Sequence, residues 1–170
     1  MPCRRGPREA SARKFQTPSL FDDLSVLENI ELAVLASPRR GRSIDSRIEE
    51  VLGLVHLEQE IATRARNLSH GQRQWLEIGL LLANDAKLLL LDEPTAGMSV
   101  EETAATGELV RGLIRELNIA AIIIEHDINF IRDLRAPITV MHLGRVLVDG
   151  PFEEIELNAE VREVYLGGER

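Results

Sequence analysis

Cysteine is nearly absent from this chain. Cys3 is the only one among 170 residues, so no intrachain disulfide can form, and the composition fits a reducing, cytoplasmic compartment. Long apolar runs are missing too. The longest, residues 79–83, 88–91 and 119–124, fall far short of the ~20 residues a membrane-spanning helix needs. No signal-peptide apolar region follows the N-terminal arginines, so attachment to a membrane has to come through a partner and not by direct insertion. The formal net charge of −8 argues against nucleic acid as a partner, although Arg4, Arg5, Arg8, Arg13 and Lys14 crowd the start of the chain. One further absence weighs most: the phosphate-cradling pattern G-x-x-x-x-G-K-[ST] occurs nowhere in the sequence.

What is present is enough for one domain with a real core, at 44% hydrophobic content. Residues 1–12, rich in Arg, Pro and Gly without apolar periodicity, read as a disordered leader, with order starting near Arg13. Val26, Leu27, Ile30, Ala33 and Val34 predict an amphipathic helix over 26–36, ended by Ser37-Pro38. Ile48, Val51, Leu52 and Val55 predict a second over 46–57. A third, over 69–84, opens on an S-x-x-Q capping box formed by Ser69 and Gln72. From Lys87 the pattern becomes α/β: strand 88–91, helix 100–116, strand 119–124, helix 128–134. Such unbroken runs of Leu and Ile suit strands of a parallel sheet covered on both faces. Residues 138–141 and 146–148 predict an edge hairpin, and 158–166 a capped terminal helix.

Chemistry in such sheets gathers at the carboxyl ends of strands. Asp92 and Glu93 stand at one such end, and Pro94 breaks strand geometry directly after them. One carboxylate of such a pair can organise Mg²⁺ while the other orients and deprotonates an attacking water. An acidic pair before a proline also makes a plain turn; the preceding Leu88-Leu89-Leu90-Leu91 run is what favours chemistry. Ser69, Gly71 and Gln72 open a helix, whose unpaired N–H groups and partial positive charge suit phosphate. By themselves Ser69 and Gln72 justify no more than a cap. His126 follows the strand 119–124 and is followed by Asp127, a natural cap; it leaves the sheet at the same edge as the acidic pair, where an imidazole can contact a terminal phosphate. Gln16 gains its weight only from its position. His56 and His142 lack metal-ligand spacing, and Trp75 reads as packing one face of its helix.

With these segments in hand, the chain from about Arg13 to Leu166 resembles the ATP-binding subunits of ABC uptake transporters of the urea and branched-chain amino-acid class, with details closer to the urea branch. Leu68-Ser69-His70-Gly71-Gln72 matches the signature motif, residues 88–93 the Walker B strand with its glutamate, Ala96-Gly97-Met98-Ser99 the D-loop, His126 the switch histidine and Gln16 the Q-loop glutamine. The resemblance implies a P-loop NTPase-like α/β domain that lacks its N-terminal strands and Walker A loop, with a helical subdomain at about 20–85 and an α/β part at about 86–170. It also implies ATP and Mg²⁺ as ligands, a second ATPase subunit forming a sandwich with the first, and permeases that hold the pair at the inner face of the cell membrane. In that scheme Glu93 is the general base, Asp92 serves Mg²⁺, and Gln16 senses the metal and couples to the permease. His126 contacts the γ-phosphate, and Ser69, His70, Gly71, Gln72 and Ser99 face ATP held by the partner.

The sequence departs from the family pattern in three places. His70 stands where the first signature glycine is usual, Ser99 stands where many relatives have the D-loop aspartate, and the phosphate loop with its lysine is missing. These departures leave two readings: an ATPase subunit, N-terminally truncated and inactive alone, that energises import of urea or a related small polar solute; or a non-enzymatic subunit that offers its signature face to an intact ATPase. A DNA-repair ATPase of the same superfamily fits less well, since no coiled-coil insertion separates Gln16 from Leu68.

Overall fold

A computed structural model of the chain describes residues 20–37 and 43–165, together with the backbone of residues 12 and 13. It forms two compact units, Met1–Glu125 and His126–Arg170.

In the first unit three helices form a layer beside a small parallel sheet. Helix α1 (Val26–Ala36) starts where predicted because Ser25 and Glu28 cap each other's turn. Ser25 Oγ accepts from Glu28 N at 3.1 Å, and Glu28 Oε2 accepts from Ser25 N at 2.7 Å. It stops at Ser37, extended at φ −64° and ψ 134° as a residue before proline should be. The buried side chain of Asn29 pins the loop leading into this helix. Its Nδ2 donates to the carbonyls of Phe21 at 3.1 Å and Ser25 at 2.9 Å, and its Oδ1 accepts from Phe21 N at 2.9 Å.

Helix α2 (Ile44–Leu54) begins two residues before the predicted 46 and ends three before 57. The apolar rhythm misleads at that end because Val55 and Leu57 are fully buried beyond the helix, on either side of a turn in which His56 takes φ 55°. Helix α3 (His70–Ala83) lies between Ser69 and Asn84 as its caps. Val26, Ile30, Val51, Val55, Leu76 and Ile78 fill the core where these helices meet, and it continues into Leu89 and Leu91 of the sheet.

The sheet runs β1 (Ala12–Arg13), β2 (Leu88–Asp92), β3 (Ala120–Ile124), all parallel, with β2 in the centre. The short β1 falls where a disordered leader was expected to end; residues 1–11 lie outside the described residues. Helix α4 (Val100–Leu117) is the crossover between β2 and β3 and buries Leu109, Val110 and Leu113. Trp75 is a packing residue, as predicted: its Nε1 donates to Thr106 Oγ1 at 2.9 Å and ties α3 to α4. One expectation fails. Strand β3 is not covered on both faces, since Ile122 and Ile124 are 57% and 63% exposed while Leu89 and Leu91 of β2 are buried.

The second unit starts at His126. Asp127 Oδ1 caps α5 (Ile128–Leu134) by accepting from Asn129 N at 2.9 Å and Phe130 N at 3.1 Å. A hairpin of β4 (Ile138–His142) and β5 (Arg145–Gly150) comes next, turning through Leu143 at φ 46° and Gly144 at φ 76°. Two positive φ values in a two-residue loop match the strand twist, and only the glycine meets that demand without strain. Helix α6 (Phe152–Leu157), which the sequence did not reveal, opens directly after Pro151. Asn158 caps the terminal helix α7 (Ala159–Tyr165). Arg132 of α5 lies over the Phe152 ring at 4.8 Å, and Tyr165 OH donates to the Met141 carbonyl.

Candidate functional site

The acidic pair sits where β2 ends. Asp92, half-buried, is the last strand residue and stands in register with Ile124 of β3. Glu93 is exposed and its backbone turns to φ 46°, while its N–H donates to the Ile124 carbonyl at 2.8 Å. A side-chain-bearing residue in left-handed geometry ahead of a proline is doubly disfavoured. The turn through Thr95, Ala96 and Gly97 holds it there. Ala96 N donates to the Glu93 carbonyl at 3.2 Å, Met98 N donates to the Thr95 carbonyl at 3.1 Å, and Gly97 takes φ 75°. A further brace was not expected from the sequence: Glu125 Oε1 accepts from Thr95 N at 3.0 Å and also from the Thr95 hydroxyl. Its only sequence signal was an acidic residue at a strand end, directly before the histidine.

A second cluster joins two helix N-termini. Ser69 caps α3, its Oγ accepting from Gln72 N at 3.2 Å, and Ser99 caps α4, its Oγ accepting from Glu102 N at 3.2 Å. Glu102 bridges them. Its Oε2 accepts from Ser99 N at 3.1 Å, and its Oε1 accepts from Ser69 Oγ at 2.7 Å and from Gly71 N at 3.3 Å. The carboxylate is held below its ordinary value of 4.5, chiefly by the Ser69 hydroxyl and then by the Ser99 amide, with smaller help from Gly71 N and the charge of His70. Helix α3 was expected to present open amides; two of those amides are taken, Gly71 N by Glu102 and Gln72 N by Ser69. Gln72 is engaged at both ends, its Oε1 accepting from Ser69 N at 3.0 Å and its Nε2 donating to Glu60 at 3.3 Å. His70 lies against Gly97: a Cβ on that glycine would be 3.8 Å from its Nε2.

Ser69, Gly71 and Ser99 are therefore brought together through Glu102, while Asp92 and Glu93 share the end of β2. His126 is exposed at the start of the second unit, two residues past β3. Gln16 lies outside the described residues. Among the described residues no three His, Cys, Asp or Glu side chains are grouped to cage a metal. Magnesium bound with a nucleotide needs only one or two carboxylates, because phosphate and water supply the remaining ligands, and Asp92 at the end of β2 fits that requirement.

A parallel sheet with an acidic pair at the carboxyl end of its central strand, and a capped helix N-terminus beside the following crossover helix, defines an α/β domain of the kind that places its ligand site at the carboxyl ends of its strands. The sequence profile of the ABC transporter family matches residues 3–96, more than half of the chain, and the chain belongs to that family, in its ATP-binding domain. The methionine import ATP-binding protein MetN of Lactobacillus delbrueckii subsp. bulgaricus is 31% identical over 156 residues, covering 91% of this chain and 44% of that protein. The high-affinity branched-chain amino acid transport ATP-binding protein LivG of Salmonella typhimurium is 29% identical, covering 98% of this chain and 71% of the relative. Among solved structures, cbiO1 from Clostridium perfringens, part of the ABC transporter complex cbiONQ, superposes with a TM-score of 0.80 at 30% identity, covering 94% of this chain and 64% of that one. The chain thus spans less than half the length of the methionine relatives it matches. Among the described residues no helix is long and apolar enough to cross a membrane.

Proposed function

We propose that this chain acts as the ATP-binding subunit of an ABC importer, energising uptake of urea or a related small polar solute through ATP hydrolysis shared with a second ATPase subunit. The observation that carries the reading is Glu93. It is exposed at the end of β2, with its N–H bonded to the Ile124 carbonyl and its backbone held at φ 46° by the turn that follows, where its carboxylate can take a proton from an attacking water. Asp92, half-buried behind it, is the residue to hold Mg²⁺, which offsets phosphate charge when bound. Ser69, His70, Gly71, Gln72 and Ser99 make the face that meets nucleotide held by the second subunit. His126 and Gln16 have the roles of terminal-phosphate contact and of metal sensing with permease coupling. The layer of α1 and α2 is the surface offered to a permease, and through that contact the subunit is peripheral on the inner face of the cell membrane.

The methionine and branched-chain amino-acid relatives support the importer class. The urea assignment rests on the residues at 69–79, 125–130 and 163–167. Without the phosphate loop, about four charge-assisted phosphate contacts at ~1.5 to 3 kcal/mol each are missing, which lowers affinity by at least roughly four orders of magnitude. Calorimetry with MgATP is therefore expected to give no binding heat on this polypeptide alone, and its phosphate release is expected to match buffer. Turnover by the chain alone that disappears in Glu93→Gln would refute the inactivity and keep Glu93 as base. A version extended upstream to a phosphate loop is expected to hydrolyse MgATP, with Glu93→Gln lowering its turnover by about 10²-fold or more. Stimulation of an intact partner ATPase by the 170-residue chain that survives Glu93→Gln and is lost in Ser69→Arg would instead identify a non-enzymatic subunit.

A further inference from the structure

We propose that Glu102 is a built-in occupant of the phosphate-facing site: its carboxylate holds the Ser69 hydroxyl and the Gly71 amide, and it has to leave before a nucleotide phosphate can use them. The inference rests on the reading of Ser69 and Gly71 as nucleotide-facing, and it adds how access to that face is controlled.

Capping α4 requires only one carboxylate oxygen, and Oε2 on Ser99 N meets that need. Oε1 crosses to a different helix, 2.7 Å from Ser69 Oγ and 3.3 Å from Gly71 N. Glu28 has the same capping position in α1, and its Oε2 returns to its own cap, Ser25 N. The approach to α3 is close: a Cβ on residue 71 would lie 3.1 Å from Oε1 and 3.3 Å from Cδ of Glu102. A negative oxygen on a helix N-terminus with a hydroxyl and an amide as donors is the arrangement a phosphate oxygen makes there. Two anions cannot share those donors, so carboxylate and phosphate exclude each other. Glu102 is only partly buried, which leaves its side chain able to swing into solvent.

The test monitors the amide resonances of Ser69 and Gly71 in the labelled full chain during titration with inorganic triphosphate. Glu102→Ala is expected to lower the half-saturation concentration about tenfold, the effect of freeing one charge-assisted contact. Glu102→Gln retains an acceptor for Ser99 N and hence the cap, and is expected to lower it several-fold; it serves if the alanine variant is poorly folded. Glu101→Gln, which removes the same charge one residue away, is expected to change nothing. Equal responses in all variants would overturn the gating role and leave the phosphate-facing reading standing. Tightening as large in Glu101→Gln as in Glu102→Ala would overturn it in favour of general charge. No response in any variant would overturn the gate, since freeing the donors then gives phosphate no access to them, while the reading of Ser69 and Gly71 as nucleotide-facing is decided separately by Ser69→Arg against an intact partner ATPase.

Discussion

At the scale of single residues, Glu93 shows a conflict between the backbone and the chemistry. A left-handed residue with a side chain costs roughly 1–2 kcal/mol relative to its usual geometry, and glycine avoids that cost. Its larger unfolded-state entropy offsets about half of the gain. Glu93→Gly is therefore expected to be about 0.5–1 kcal/mol more stable than Glu93→Ala in urea denaturation. Glu93→Gln should leave stability unchanged, because it retains both the backbone and the side-chain shape. An alanine variant as stable as the glycine variant would mean that the turn carries no strain. The acidic pair was legible because Asp92 and Glu93 sit beside the apolar run that makes their strand. Glu102 and Glu125 were not. Glu102 has a local S-x-x-E signal with Ser99, but its partners on α3 lie 31 to 33 residues away and Thr95 lies 30 residues from Glu125, and only the folded crossover brings these together.

At the scale of elements, the legible boundaries are those with a local chemical cause. Ser69 with Gln72 fixed the start of α3, and Ser37 before Pro38 fixed the end of α1. The end of α2 was not legible, since Val55 and Leu57 remain buried through a turn and carry the apolar rhythm past the last helical residue. The capping boxes also make stability depend on pH. Glu28 is held below 4.5 by the backbone and then the hydroxyl of Ser25. Glu101 is lowered by its own backbone and by Ser99, and Glu102 by Ser69 and Ser99. A carboxylate whose folded value lies below its unfolded value contributes stability that is complete above the unfolded value and is lost as pH falls through the folded one. The melting temperature is therefore expected to be flat with respect to these groups above about pH 5 and to fall below pH 4.5. Ser25→Ala should lower the plateau and make the acid limb shallower. An acid limb identical to that of the unmodified chain would show that the Ser25–Glu28 box contributes nothing to it.

At the scale of the whole molecule, the apolar run 119–124 was legible as a strand, but its place in the sheet was not. Periodicity cannot distinguish a central strand from one at the border, and an unbroken Ile run reads as doubly covered. The structure places β2 in the centre, and among the described residues β3 has no strand on its other side, with Ile122 and Ile124 largely exposed. A bare strand edge beside exposed isoleucines is a template for pairing with another chain. The net charge of −8 opposes that contact at low salt, and added salt screens the repulsion while leaving the apolar attraction in place. Sedimentation velocity is therefore expected to show association that grows with protein concentration and with salt. Ile122→Thr combined with Ile124→Lys puts a polar group and a charge on that strand and should return the chain to monomer under the same conditions. Both side chains are already mostly in water, so the double variant should unfold within about 0.5 kcal/mol of the original per site. If the variant associates as strongly as the original chain, the β3 edge is not the surface responsible.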